Sequence, residues 1–115
     1  MIYNILAVFI GSGLGGVCRW GLGSLLNGNY PLGTLAANVL GCFLIGIFSK
    51  VLPADSLCKL LFITGFCGGF TTFSTFINEN FLMMRGGQLF LSIAYIVLSL
   101  ILGLLAAWLG WNIKS

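Results

Sequence analysis

Four runs of mainly apolar residues divide the chain, with only short turns between them. A helix needs about 20 apolar residues to cross the hydrocarbon of a bilayer. Gly, Pro, Asn and charged residues punctuate the sequence into spans at about 2–22, 32–52, 57–84 and 88–111. GSLLNGNYP supplies the first turn, with Pro31 suited to a helix start. Pro53 and Asp55 in LPADS end the second span, and Ser56 can cap the third. RGGQ precedes the fourth, which ends near Trp108 and Trp111, residues at home in the membrane interface. The expectation is a single all-α integral membrane domain over residues 1–115. The N-terminal run has no Lys or Arg ahead of it, so it reads as a retained membrane helix rather than a cleaved signal.

Composition closes off other classes. The chain is 59% hydrophobic and 6% charged, against about 25% charged in an average soluble domain. Its five Lys and Arg are scattered, which argues against a nucleic-acid partner. Cys18, Cys42, Cys58 and Cys67 form no C-x-x-C pair and there is no His, so they read as small packing residues. Small residues four apart, as in Gly11/Gly15, Ser12/Gly16, Gly65/Gly69 and Ser99/Gly103/Ala107, predict close helix packing. So thin a bundle has little room for a polar pathway of its own, and oligomerisation is expected. Lys50, Lys59 and Lys114 fall on one side of the membrane, with Arg19 and Arg85 on or near the other. That balance gives no firm positive-inside bias. It leaves open insertion in both directions and pairing of antiparallel copies.

Polar side chains at membrane depth are costly and tend to be functional. Thr34 and Asn38 share one face of the second helix, and Tyr95 and Ser99 one face of the fourth. Each pair suits either a polar pathway or simple interhelical hydrogen bonding. The stretch GFCGGFTTFSTFINEN carries the strongest signal. Its third span, about 28 residues, would reach about 42 Å as one helix, more than the hydrocarbon is thick. Gly68 and Gly69 followed by Thr71 and Thr72 predict an unwinding near 68–72. Carbonyls freed there suit a hard cation such as Na⁺. Phe70, Phe73 and Phe76 lie three apart. They form either a packing stripe or a row of ring edges, which carry positive potential, facing an anion.

GSGLGGVCRW, YPLGTLAANVLGCFLIG and GFCGGFTTFSTF together resemble the Fluc/CrcB (camphor-resistance CrcB-like) fluoride channels across nearly the whole chain. The resemblance implies a passive channel, not an enzyme, that exports fluoride through the cell inner (plasma) membrane as a multi-pass protein and limits fluoride toxicity. It implies an antiparallel, dual-topology dimer in the lipid bilayer, with itself or a paired homologue, and a third helix broken near Gly68–Thr72. A structural Na⁺ at the dimer centre corresponds to the backbone carbonyls of Gly68 and Thr71. Phe73 and Phe76 look like the pore phenylalanines and Asn38 like the pore asparagine. Thr34, Tyr95 and Ser99 fall at other polar pathway positions. Arg19 matches a vestibule or structural arginine, and Glu79, an acid that follows TTFSTF, falls in the same vestibule or structural group, lining a polar entrance. Two other classes fit four spans in this length: a small dual-topology multidrug exporter and a purely structural membrane subunit. The first of these resembles antiporters with a glutamate in the first helix, where this chain has none.

Overall fold

A peptide group in hydrocarbon has no water to bond, so a chain crossing it must satisfy its backbone internally. The computed structural model, which describes residues 1–113, does so with helices alone. Helix α1 spans Ile2–Leu26 and α2 spans Leu32–Val51. The third crossing has two halves, α3 (residues 57–70) and α4 (Ser74–Arg85), and α5 spans Leu89–Asn112. Four segments are long and apolar enough to cross a membrane, the third running Leu57–Arg85. The fold is that of a multi-pass membrane protein. Lys114 lies outside the described residues.

Two boundaries differ from expectation. Helix α1 continues one turn past Leu22 to Leu26, because GSLL holds no proline and two leucines that favour helix. The Asn27 amide still closes onto the Gly23 carbonyl at 2.9 Å. Helix α3 starts with Ser56 as N-cap, its Oγ accepting from the Lys59 amide at 3.1 Å, as its position before Leu57 predicts. From Leu60 to Cys67 the helix then widens to i→i+5 hydrogen bonding, a departure often found beside functional sites. No residue pattern in LLFITGFC foretells that widening.

The helices pack as two seams, α1 against α3 and α2 against α5. Glycine sets both. A Cβ on Gly15 would overlap the Phe66 carbonyl and come within 2.7 Å of the Phe70 amide. One on Gly11 would stand 2.9 Å from the Gly65 Cα. Gly69 meets the Ser12 backbone, so the two four-residue spacings of the sequence face one another. Across the second seam Gly46 abuts the Ala107 carbonyl and Gly110 the Phe43 carbonyl. Lipid tails are as apolar as leucine, so close backbone packing rather than water exclusion holds such seams. Gly16 does not join them, since a Cβ there meets nothing within 4 Å.

Gly15→Ala should therefore destabilise the fold by about 3 kcal/mol, because backbone on the facing helix cannot retreat. Gly21→Ala, whose Cβ meets nothing within 4 Å, should leave it unchanged. Thermal unfolding of the two variants in one detergent tests this; equal midpoints would contradict the seam.

Candidate functional site

The third crossing comes apart at Thr71, whose backbone is extended (φ −85°, ψ 159°). Each threonine of the TT pair closes one half. Thr71 gives both its amide (3.0 Å) and its hydroxyl (2.8 Å) to the Cys67 carbonyl, sealing the end of α3. Thr72 caps α4: its hydroxyl accepts from the Thr75 amide at 3.2 Å. Asn38 of α2 grips the peptide between the halves. Its Oδ1 accepts from the Thr72 amide at 2.7 Å, and its Nδ2 donates to the Thr72 carbonyl at 3.2 Å. These diversions free two carbonyls. In a continuous helix the Thr72 amide would serve Gly68 and the Thr75 amide would serve Thr71; here both go to side-chain oxygens.

The unwinding lies slightly later than the glycine pair suggests. Gly68 is still helical (φ −62°, ψ −36°), and the helix holds through Phe70. Glycine permits departure from the helix but does not force it; the Asn38 grip and the threonine hydroxyls decide where it happens. Arg19, expected at or near a membrane face, instead sits beside the break and donates from Nε to the Gly69 carbonyl at 3.1 Å. Phe70 leaves the aromatic stripe: it is buried and stacks on Phe66 at 5.5 Å. Phe73 and Phe76, past the break, stay together with ring centroids 6.5 Å apart.

A cavity of about 290 Å³ opens at the break, lined by Asn38, Thr71, Thr72, Phe73, Phe76 and Ser99, with Cys42, Ile45 and Leu100 on its apolar side. The Ser99 Oγ is fully buried and has no hydrogen-bond partner among the described residues, an uncommon condition that marks a group awaiting a ligand or water. Neutral donors and ring edges around one cavity suit a small anion. The freed carbonyls suit a hard cation. Among the described residues no three His, Cys, Asp or Glu gather to hold a metal.

Thr34 and Tyr95 form a second group, one step along α2 and α5. Both hydroxyls donate to Glu79: Thr34 to Oε2 at 2.6 Å and Tyr95 to Oε1 at 2.8 Å. Glu79 is thus the hub of the group. Phe76 links the two groups, its ring 5.0 Å from that of Tyr95.

Three residues outside the expected set complete the site. Asn27 accepts from the Gly33 amide (2.6 Å) and the Thr34 amide (3.2 Å) and donates to the Thr34 hydroxyl (3.3 Å). It thereby caps α2 from the preceding turn. Asn80 and Ser92 are buried and bonded to each other at 2.7 Å. Ser92 was visible in principle, since Ser92, Tyr95 and Ser99 make one stripe at spacings of three and four. Asn27 and Asn80 carry no such pattern. A second cavity of about 290 Å³ reaches Glu79 between Asn27, Asn29 and Gln88.

Comparison with known proteins bears on this arrangement. Residues 6–111 match the family described as CrcB-like protein, Camphor Resistance (CrcB). A protein of Serratia proteamaculans (strain 568) named fluoride-specific ion channel FluC is 47% identical over 107 residues, 87% of this chain and 84% of that protein. Proteins of the same name from Pectobacterium carotovorum (strain PC1) and Gloeothece citriformis (strain PCC 7424) are 43% and 40% identical, covering 96% and 93% of those proteins. With four apolar crossings, a third helix broken at TTFST and one family spanning nearly all of its length, this chain belongs to the CrcB-like family.

Proposed function

We propose that the chain is a passive, fluoride-selective channel of the cell inner (plasma) membrane, working as an antiparallel pair of copies. The observation that carries this reading is the cavity at the break, with uncharged donors, two phenyl rings and the unpartnered Ser99 hydroxyl. Its relatives' name, fluoride-specific ion channel, supports the choice of ion.

Fluoride holds its water tightly, so each water shed needs a donor in its place. Asn38 keeps one Nδ2–H beyond the one it gives Thr72. Ser99 offers a free hydroxyl, and the edges of Phe73 and Phe76 add weak positive potential. Thr34 and Tyr95 reach the ion by turning their O–H bonds away from Glu79. Neutral donors bind an anion strongly enough for entry and weakly enough for exit. With passive flow, an inside-negative potential drives fluoride out of the cell.

The same geometry supports a pair. Phe73 is 76% exposed, Ser74 and Asn78 are exposed beside it, and Gly68 is exposed ahead of the break. Polar groups at mid-span call for protein rather than lipid. A second copy laid across this face covers them and doubles the carbonyl set. Na⁺ fits the freed Gly68 and Thr71 carbonyls, oxygens of the kind a hard cation prefers. Bound there, it supplies one fixed positive charge and ties the breaks of two copies. Arg19 holds the neighbouring Gly69 carbonyl in place.

Four outcomes follow. Liposomes containing only this protein should release fluoride and retain chloride, read by ion-selective electrodes. Phe73→Ile and Phe76→Ile should each slow that release about a hundredfold, the scale of about 3 kcal/mol at the barrier, with folding intact; unchanged release would remove the rings from the pathway. Cysteine crosslinking of two differently tagged copies in a Cys-free background should yield antiparallel pairs, and exclusively parallel products would refute the pairing. Replacing Na⁺ with a large organic cation during purification should lower both dimer content and flux, and a dimer indifferent to the cation would argue against the carbonyl site.

A further inference from the structure

Asn80 and Ser92 take no part in the pathway described above, yet they are among the most buried polar residues in the chain. Asn80 is 3% exposed and Ser92 0%. The Ser92 hydroxyl donates to Asn80 Oδ1 at 2.7 Å, and Asn80 Nδ2 donates to the Phe76 carbonyl at 2.8 Å. The two residues thus bridge α4 to α5 at one point, one turn from Phe76 on one helix and one turn from Tyr95 on the other.

Helix α4 needs such a bridge more than its neighbours do. The break uncouples it from α3, so no continuous helix fixes its rotation or height. Within the chain its packing is chiefly on α5, without the glycine-to-backbone seams that lock the other helices. Faces of Leu, Ile and Phe against a similar face specify register weakly, whereas one polar bond in an apolar setting specifies it well. A slip of one turn would shift α4 by about 5.4 Å, taking Phe76 away from Tyr95 and Glu79 away from both hydroxyls.

We infer that Asn80 and Ser92 are a positioning pair: their hydrogen bond sets the register of α4 on α5 and so holds the Phe76 ring in the cavity. The functional part rests on Phe76 being a pathway residue. The pair touches no ion itself. It acts through Phe76, whose carbonyl Asn80 holds and whose ring lies against Tyr95.

The test uses the full-length protein with 4-fluorophenylalanine placed at position 76, matched for dimer content, in Ser92→Ala, Asn80→Leu and the double variant. Ser92→Ala removes a single oxygen and leaves the volume of the site nearly unchanged. It should slow fluoride release about tenfold, the scale of one buried hydrogen bond, and move or broaden the fluorine resonance of ring 76. Asn80→Leu should act in the same direction. The double variant should be no slower than the slower single, because both residues serve one bond. Wild-type release with an unmoved resonance in Ser92→Ala would overturn the inference. So would a double variant whose loss is the product of the two single losses, or slowed release with the ring 76 signal unaltered. If the wild-type protein carries no fluoride at all, the proposed function fails, while the resonance still reports whether the pair positions the ring.

Discussion

The structure turns on the shortage of water in hydrocarbon. A helix that opens at mid-membrane exposes amides and carbonyls, and each must find protein or remain a costly orphan. At Thr71–Phe73 side chains meet part of that need: Asn38 takes one amide and one carbonyl, the Thr71 hydroxyl returns to Cys67, and the Thr72 hydroxyl takes the Thr75 amide, while the Thr71 carbonyl is left free. Losing Asn38 would leave both hydrogen-bonding groups of the Thr72 peptide unserved. The break therefore depends on a residue more than 30 positions upstream. Its location fixes everything after it: which way Phe73 and Phe76 point, which carbonyls lack donors, and how firmly α4 is held.

Close packing elsewhere makes this opening tolerable. Gly11, Gly15, Gly65 and Gly69 bring α1 and α3 to backbone contact, and Gly46 and Gly110 do so for α2 and α5. These seams lock three and a half crossings into a frame. The remaining half, α4, hangs from α5 through Asn80–Ser92 and through Tyr95–Glu79. A rigid frame carrying one loosely packed half-helix explains why polar residues collect where they do. In the inferred arrangement Asn80 and Ser92 supply the register that apolar packing between α4 and α5 specifies weakly. It also leaves Phe73, Ser74 and Asn78 on an uncovered face, the basis for the proposed second copy.

Much of this was legible in the residues. The four spans were, to within a turn, because length and apolarity alone decide what crosses a bilayer. The disturbed third span was too, since Gly68, Gly69, Thr71 and Thr72 favour helix poorly. The residues around the cavity, Asn38, Ser99, Phe73 and Phe76, stood out as polar or aromatic groups at regular spacing in oily helices. Pattern fell short in three places. Phe70 keeps the spacing of the Phe73–Phe76 stripe, but the break rotates it into the core beside Phe66. The topology count sets Arg19 on or near one membrane face, yet it serves a carbonyl beside the break. Pattern gives Glu79 a polar entrance, and it does line a cavity, but pattern hides that Glu79 is also a hub, because what matters is which hydroxyls face it across helices.

By itself, then, the order of amino acids determined the solvent, the number of crossings, the glycine faces and the weak point of the third helix. All of these are local properties, settled by transfer free energy and backbone preference within one segment. The tertiary structure decided who bonds to whom. Whether the Thr34 and Tyr95 hydroxyls stay free or go to Glu79, whether Gly68 keeps its helical donor, and whether Asn80 finds Ser92 all depend on helix rotation and height. The two glycine seams and the Asn38 grip set those for the frame, and the polar bonds to neighbouring helices do so for α4; no single segment encodes them, because a hydrogen bond is decided within a few tenths of an ångström by both of its partners at once.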